Sequence, residues 1–291
     1  MKTVFTKFCV GTCVLFGALA GSFTASAASH TPIKLGYVQS WPSSALTTRI
    51  AAQAIENNLD TQVKLQSLIA GPMYQAVASG NLDGMLTAWL PKTHASYYKK
   101  VWPKVINLGP NLYGTRLGMA VPKYVKANSI SDLKGQEGKF NSQVIGVGSG
   151  AGVNMSTKKA IKAYGLNMHL TPSSTAAMAA SLKRAIGQHK PIVVTAWSPL
   201  WIWSKFNLKY LKDPKNIYGK AGHVNTLVNP SLPNKAPKVF MFLNRFYIKL
   251  SDLNTLEAKT QNGMSQKDAV NQWLANHQPT VKDWFAGINN S

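Results

Sequence analysis

The feature that most constrains this chain is its rhythm. Short apolar runs at 33–38, 63–68, 84–88, 117–121, 144–147 and 192–196 alternate with helix-like stretches at 45–57, 72–79, 156–164 and 176–186. Strand-length runs separated by helical stretches predict an α/β fold, a parallel sheet with crossover helices. Gly80 and Gly165 stop two of the helices, as expected of residues that tolerate the left-handed turn at a helix end. After Pro237 the pattern is helical almost to the end, with Gly263 as the visible break.

Three of the predicted strands are followed by a tryptophan with proline within two residues of it: Trp41-Pro42, Thr87-Ala88-Trp89-Leu90-Pro91 and Thr195-Ala196-Trp197-Ser198-Pro199. Proline cannot donate to a sheet ladder, so each indole falls at a strand-to-loop exit. Open α/β sheets bind their ligands at such exits. The last two units lie 108 residues apart and read as the cores of two similar lobes joined by short crossings near Gly118 and Val224. Two lobes so joined form a cleft suited to hinge closure around a small ligand. Trp102, Trp273 and Trp284 lack the strand-exit setting and are expected to be packing residues; Trp201 and Trp203 are open between pocket wall and core.

The run Gly146-Val147-Gly148-Ser149-Gly150-Ala151-Gly152 follows one strand and precedes a helix. Glycines permit close backbone approach, and a helix start presents unpaired N–H groups at the positive end of the dipole. An anion fits there. A nucleotide is disfavoured, because the run lacks a Walker lysine-serine pair and an acidic residue about 20 positions on to hold a ribose. Indole faces for a quaternary ammonium and a helix start for a carboxylate together describe a betaine site, and such a cage needs no counter-carboxylate.

The chain has 32 Lys plus Arg against 10 Asp plus Glu, a formal net charge of +22. The opening segment reads as a secretory signal: Lys2 and Lys7, an apolar stretch over 8–20, and Ala25-Ser26-Ala27 as the cleavage site. That stretch is too short to span a membrane. Cleavage after Ala27 leaves 264 residues with a formal charge of +20 and removes both cysteines, Cys9 and Cys13. The expected mature protein therefore has no disulfide, no thiol nucleophile and no cysteine metal site. The basic residues are spread along the chain without a zinc-finger spacing or an aromatic RNA-binding motif, so the charge reads as a solvated coat and no nucleic-acid partner is expected. A basic polyanion-binding envelope protein is the reading of another class. An enzyme is not expected: the six histidines are dispersed, with His169, His189, His223 and His277 in separate contexts and His30 beside the mature start, and no Gly-x-Ser-x-Gly, His-x-x-x-His or metal triad occurs. No cofactor or metal is expected.

Four stretches carry a resemblance: Ile33-Lys34-Leu35-Gly36-Tyr37-Val38; Ala70-Gly71-Pro72-Met73-Tyr74-Gln75-Ala76; Ala88-Trp89-Leu90-Pro91-Lys92-Thr93-His94; and Pro191-Ile192-Val193-Val194-Thr195-Ala196-Trp197-Ser198-Pro199, extended through 208–215. They closely resemble the substrate-binding proteins of glycine betaine ABC transporters, the OpuAC-like family, over nearly the whole mature chain. The resemblance implies the type II periplasmic-binding-protein fold, with two α/β lobes joined by two crossings and a ligand cleft between them. It implies residues 1–27 as signal peptide, 28–117 and 225–291 as one lobe and 118–224 as the other. It further implies a cage of Trp41, Trp89 and Trp197, a ligand carboxylate held by the backbone N–H groups of Gly152 and Val153, and a carboxylate contact from His94. Taken alone, His94 reads as an ordinary surface histidine. Tyr37 and Tyr74 are open between cleft lining and packing.

Implied on the same ground is a monomeric periplasmic protein that delivers an osmoprotective quaternary ammonium solute to a membrane permease, with choline or carnitine as the alternative ligands. The chain departs from the family pattern at Gly148-Ser149, at Leu200 and in the length of Gln39-Ser40-Trp41. These positions bear on the cleft rim and on which ligand is preferred.

Overall fold

The computed structural model describes Met1, Thr3 and residues 31–288; the expected signal segment 1–27, with both cysteines, lies outside the described residues except for those two positions. The elements run, in chain order, β1 (Ile33–Tyr37), α1 (Pro42–Leu59), β2 (Val63–Ser67), α2 (Ala70–Ala78), β3 (Gly84–Leu90), α3 (Ala95–Val101), β4 (Ile106–Pro122), β5 (Gln143–Ile145), α4 (Gly152–Ala163), β6 (His169–Thr171), α5 (Thr175–Gly187), β7 (Val194–Ser198), α6 (Ile202–Lys205), β8 (Leu208–Tyr210) and β9 (Gly222–Val228). The chain then stays helical through α7 (Leu232–Lys235), α8 (Pro237–Arg245), α9 (Leu250–Gln261), α10 (Gln266–Asn276) and α11 (Gln278–Phe285). Gly263 falls in the turn between α9 and α10 at φ +99°, a conformation that favours glycine.

The strands form a path β2-β1-β3-β9-β4-β7-β5-β6, with β8 paired to β4. The sheet is mixed, which corrects the wholly parallel expectation. β1 pairs in parallel with β2 and β3, and β5 with β6 and β7. The long strands β4 and β9 run antiparallel to their neighbours. The physical reason is that β4 is both a strand and a crossing. Its first part, Ile106 to Thr115, pairs with β9, and its second, from Arg116, with β7 and β8. One strand thus joins two sheet portions, each otherwise built of parallel units covered by helices. β3 is buried along its whole length, as expected of a strand covered on both faces. The C-terminal helices pack against the first portion, with α8, α9 and α10 all contacting α1.

The candidate cage and carboxylate seat

Each proline-marked strand exit forms as the sequence predicts. β3 stops at Leu90 and β7 at Ser198, each followed by a cis proline peptide, and Trp41 is the residue before Pro42 at the first position of α1. Proline suits that helix position because its missing N–H would have had no partner there. Trp197 is registered opposite Leu117 of β4, and Trp89 opposite Val224 of β9.

These exits converge. A single pocket is lined by Trp41, Ser43, Trp89, Thr93, His94, Leu117, Ala151, Gly152, Val153 and Trp197. All six residues singled out by sequence are on its wall. Ser43, Thr93 and Leu117 were not singled out; the Leu117 position is legible only through its register with Trp197. The three indoles are buried, so any cation between them is taken out of water, where each aromatic face is worth up to about 2 kcal/mol.

His94 corrects the surface reading. It is 1% exposed, stacked on Trp41 at 5.8 Å and edge-on to Tyr74 and Tyr97 at 5.7 and 5.6 Å. The backbone N–H of Trp89 donates to its Nδ1 at 3.2 Å. Nδ1 is therefore an acceptor, the Tyr74 hydroxyl at 3.2 Å donates to it as well, and the ring proton is assigned to Nε2. Burial pushes the imidazole down to about 3, so the ring is neutral and carries one outward N–H donor in the cavity wall. Tyr74 belongs behind the wall as the support of His94, and Tyr37 packs under the Arg49 guanidinium at 5.6 Å; neither lines the cavity.

The glycine-rich turn divides its work. The Asn154 side chain fills its interior, accepting from the Val147 N–H at 3.2 Å and donating to the Val147 and Gly148 carbonyls at 2.8 and 3.0 Å. Only its far end, from Ala151 to Val153, faces the cavity. That end starts α4, whose first residue position has no side-chain cap, so the Gly152 and Val153 N–H groups remain free at the positive end of the dipole. Across the cavity the Tyr97 hydroxyl donates to the Gly150 carbonyl at 3.0 Å and pins the turn to the His94 side.

Of the other tryptophans, Trp273 and Trp284 are core residues at 6% and 1% exposed. Trp102 corrects the packing expectation: it is 60% exposed at the end of α3, beside Tyr98. Trp203 donates from Nε1 to the Trp197 carbonyl at 2.7 Å and leans on Tyr210 at 4.2 Å, bracing the third indole from behind. No group of metal-ligating side chains occurs among the described residues, and none of their helices is long and apolar enough to cross a membrane.

Two α/β portions on one mixed sheet with an aromatic cavity in their seam define the type II periplasmic-binding-protein fold. Lactococcal OpuAC, in its closed-liganded conformation complexed with glycine betaine, is similar with a TM-score of 0.84 and 36% identity, covering 88% of this chain and 99% of that one. The glycine betaine/L-proline-binding protein ProX from Borrelia burgdorferi is similar with a TM-score of 0.83 and 32% identity, covering 87% and 96%. The glycine betaine/carnitine transport binding protein GbuC of Listeria monocytogenes serotype 1/2a (strain 10403S) is 36% identical over 153 residues, and the match spans about half of each protein, 52% of this chain and 51% of the relative. Residues 31–276 match the family described as the substrate binding domain of ABC-type glycine betaine transport systems, and the chain belongs to that family.

Proposed function

We propose that this chain is the periplasmic receptor of an ABC importer, capturing glycine betaine or a related quaternary ammonium solute and delivering it to a membrane permease. The observation that carries the reading is one cavity with two chemistries in its wall: three buried indoles, and a neutral imidazole N–H with two free helix N–H groups. The indoles Trp41, Trp89 and Trp197 take the trimethylammonium by cation–π attraction and burial. The N–H groups of Gly152 and Val153, with His94 Nε2, take the carboxylate. The working unit is two lobes, 28–117 with 225–291 and 118–224, that close on the ligand as a monomer after removal of residues 1–27. The wall is tryptophan, neutral histidine, Leu117, backbone and small side chains, a make-up that supports binding over catalysis. A cavity of this make-up favours a small zwitterion over a polyanion or nucleic acid. Choline shares the ammonium but lacks the carboxylate; carnitine has both. Calorimetric titration with glycine betaine, with small-angle scattering on the same samples, tests the reading: saturable binding should come with a smaller radius of gyration. Absence of binding refutes the ligand assignment, and binding at an unchanged radius refutes closure.

A further inference from the structure

Glu257 lies on α9 one turn after Leu253, on the same helix face. Leu253 lines a small cavity behind Trp89 that it shares with Ser43, Ser44, Thr47 and Asn111, so this face of α9 looks at the back of the cage. Glu257 is 0% exposed, and neither of its carboxyl oxygens has a hydrogen-bond partner of normal geometry. Neither of the two salt bridges found among the described residues includes it. An ionised carboxylate buried this way is among the costliest arrangements a protein interior can hold, and a residue kept there calls for a reason.

The reason lies in what the carboxyl faces. Burial pushes it up to about 8, and the two groups that pull it back are the backbone N–H of Trp201 and that of Ser43. Ser43 belongs to the first turn of α1, two residues after Trp41, where an N–H has no helical acceptor. Trp201 follows β7 and Trp197 in the other portion of the sheet. The carboxyl therefore stands between the segment carrying one cage indole and the segment carrying another, one from each side of the seam.

We propose that Glu257 is a positioning residue for cleft closure, its carboxyl seated between Ser43 and Trp201 when the lobes meet and released to water when the Trp201 segment withdraws. This rests on reading the chain as a betaine receptor that closes. A carboxyl pushed up to about 8 when seated and returned toward the ordinary carboxylate range when released to water takes up a proton on closing at any pH between the two. The closed form is then fully favoured below the open value and loses ground as pH rises toward 8. Ligand affinity should fall with rising pH, by up to about tenfold per unit. The charged groups on the surrounding elements are otherwise engaged. On α1, Arg49 bonds Gln266 at 2.8 Å; on α9, Asp252 faces His277 at 3.8 Å; on α10, Asp268 accepts from the Ser265 hydroxyl at 2.7 Å. On β4, Arg116 lies over Tyr210 at 4.2 Å, and beyond Trp201, Lys205 lies over the Trp201 ring at 5.6 Å. None of them contributes to the shift of Glu257, and His94 in the cage stays neutral down to about 3.

The test is calorimetric titration of glycine betaine into the mature protein and into Glu257→Gln from pH 5.5 to 8.5, each pH in two buffers of different ionisation heat. The expected result is proton uptake on binding and affinity falling with pH in the parent, with no uptake and a flat profile in Glu257→Gln. A flat parent profile, or a slope that survives in Glu257→Gln, overturns the proposal. If Glu257→Gln does not fold, the parent's proton count decides alone, and zero uptake overturns it. If the parent binds no betaine at any pH, the receptor reading itself fails and takes this one with it.

Discussion

Gly152 is where the proposed closure can be tested with a single methyl group. It opens α4 with an ordinary negative φ, so alanine is conformationally acceptable there and is the better helix former. The space is not acceptable. A Cβ would stand 2.3 Å from Thr93 Cγ2, 2.8 Å from the Thr93 carbonyl oxygen and 3.1 Å from His94 Cδ2. The threonine methyl can rotate away, but the carbonyl belongs to the loop that positions His94. Restoring ordinary contact at 3.4 Å moves that loop and the start of α4 apart by about 0.6 Å. Overpacking of this kind costs about 1–3 kcal/mol, which in a binding equilibrium is about 5- to 150-fold.

The contact is made across the seam, between Thr93 after β3 and the helix that follows β5. The strain therefore belongs to the closed form, while the helix-propensity gain of Gly152→Ala belongs to both. Calorimetry should show betaine affinity weakened within that range, and thermal denaturation without ligand should show an unchanged or slightly raised midpoint. Parent-like affinity refutes the argument outright. A ligand-free destabilisation as large as the affinity loss also refutes it, because the glycine would then be a requirement of the fold and not of closure.

Trp41→Ala, Trp89→Ala and Trp197→Ala should each weaken betaine binding by about 1–3 kcal/mol, with Trp→Phe milder at each site; three silent alanine variants in titration calorimetry would remove the cage. Choline should bind at least about tenfold more weakly than glycine betaine, about 1.4 kcal/mol, because without a carboxylate the donors at Gly152, Val153 and His94 are desolvated and unpaired; equal or tighter choline binding in the same assay would move the ligand assignment to choline. His94, held near 3 against an ordinary value of 6.5, binds no proton in the fold where the unfolded chain binds one. Its contribution is intact above 6.5 and lost as pH falls toward 3, so His94→Gln should flatten the acid limb of the melting temperature of the betaine-saturated protein, and an unaltered acid limb counts against the burial of His94.

The elements legible in the sequence were those whose signals are local. The apolar runs at 33–38 and 63–68 and the helices closed by Gly80 and Gly165 match β1, β2, α2 and α4 to within a few residues. The first part of β4 was hidden because Gly109, Pro110 and Gly114 fall inside it, and the strand accommodates them through register shifts against β9. β9 itself carries His223, Asn225 and Thr226 among its apolar residues, a pattern that reads as a half-exposed segment until β3 and β4 cover it on both sides. His94 follows Lys92 and Thr93 and precedes Tyr97-Tyr98-Lys99-Lys100, a polar neighbourhood; besides Tyr97, its burial comes from Trp41 and Tyr74, both far from it in sequence. Glu257 gives no signal at all in a helix of mixed polarity, since its burial depends on α1 and on the segment after β7.

The distribution of the site over the two portions of the sheet explains why a small zwitterion would act as a closing ligand. Trp41, Trp89 and His94 come from the β1–β3 portion, whereas Gly152, Val153 and Trp197 come from the portion holding β5 and β7. Neither portion alone holds the complete cage, and neither holds all the carboxylate donors. A ligand can shift an open–closed equilibrium only by as much as it binds one form better than the other. Here every contact beyond those of a single portion is available only when both are together, so both ends of a betaine favour the closed form. A ligand with one end missing loses part of that difference and leaves donors or indoles dehydrated without a partner. Specificity and closure on this arrangement are the same free energy, which is why a methyl group on Gly152 and a carboxylate missing from choline are expected to weaken binding through the same seam.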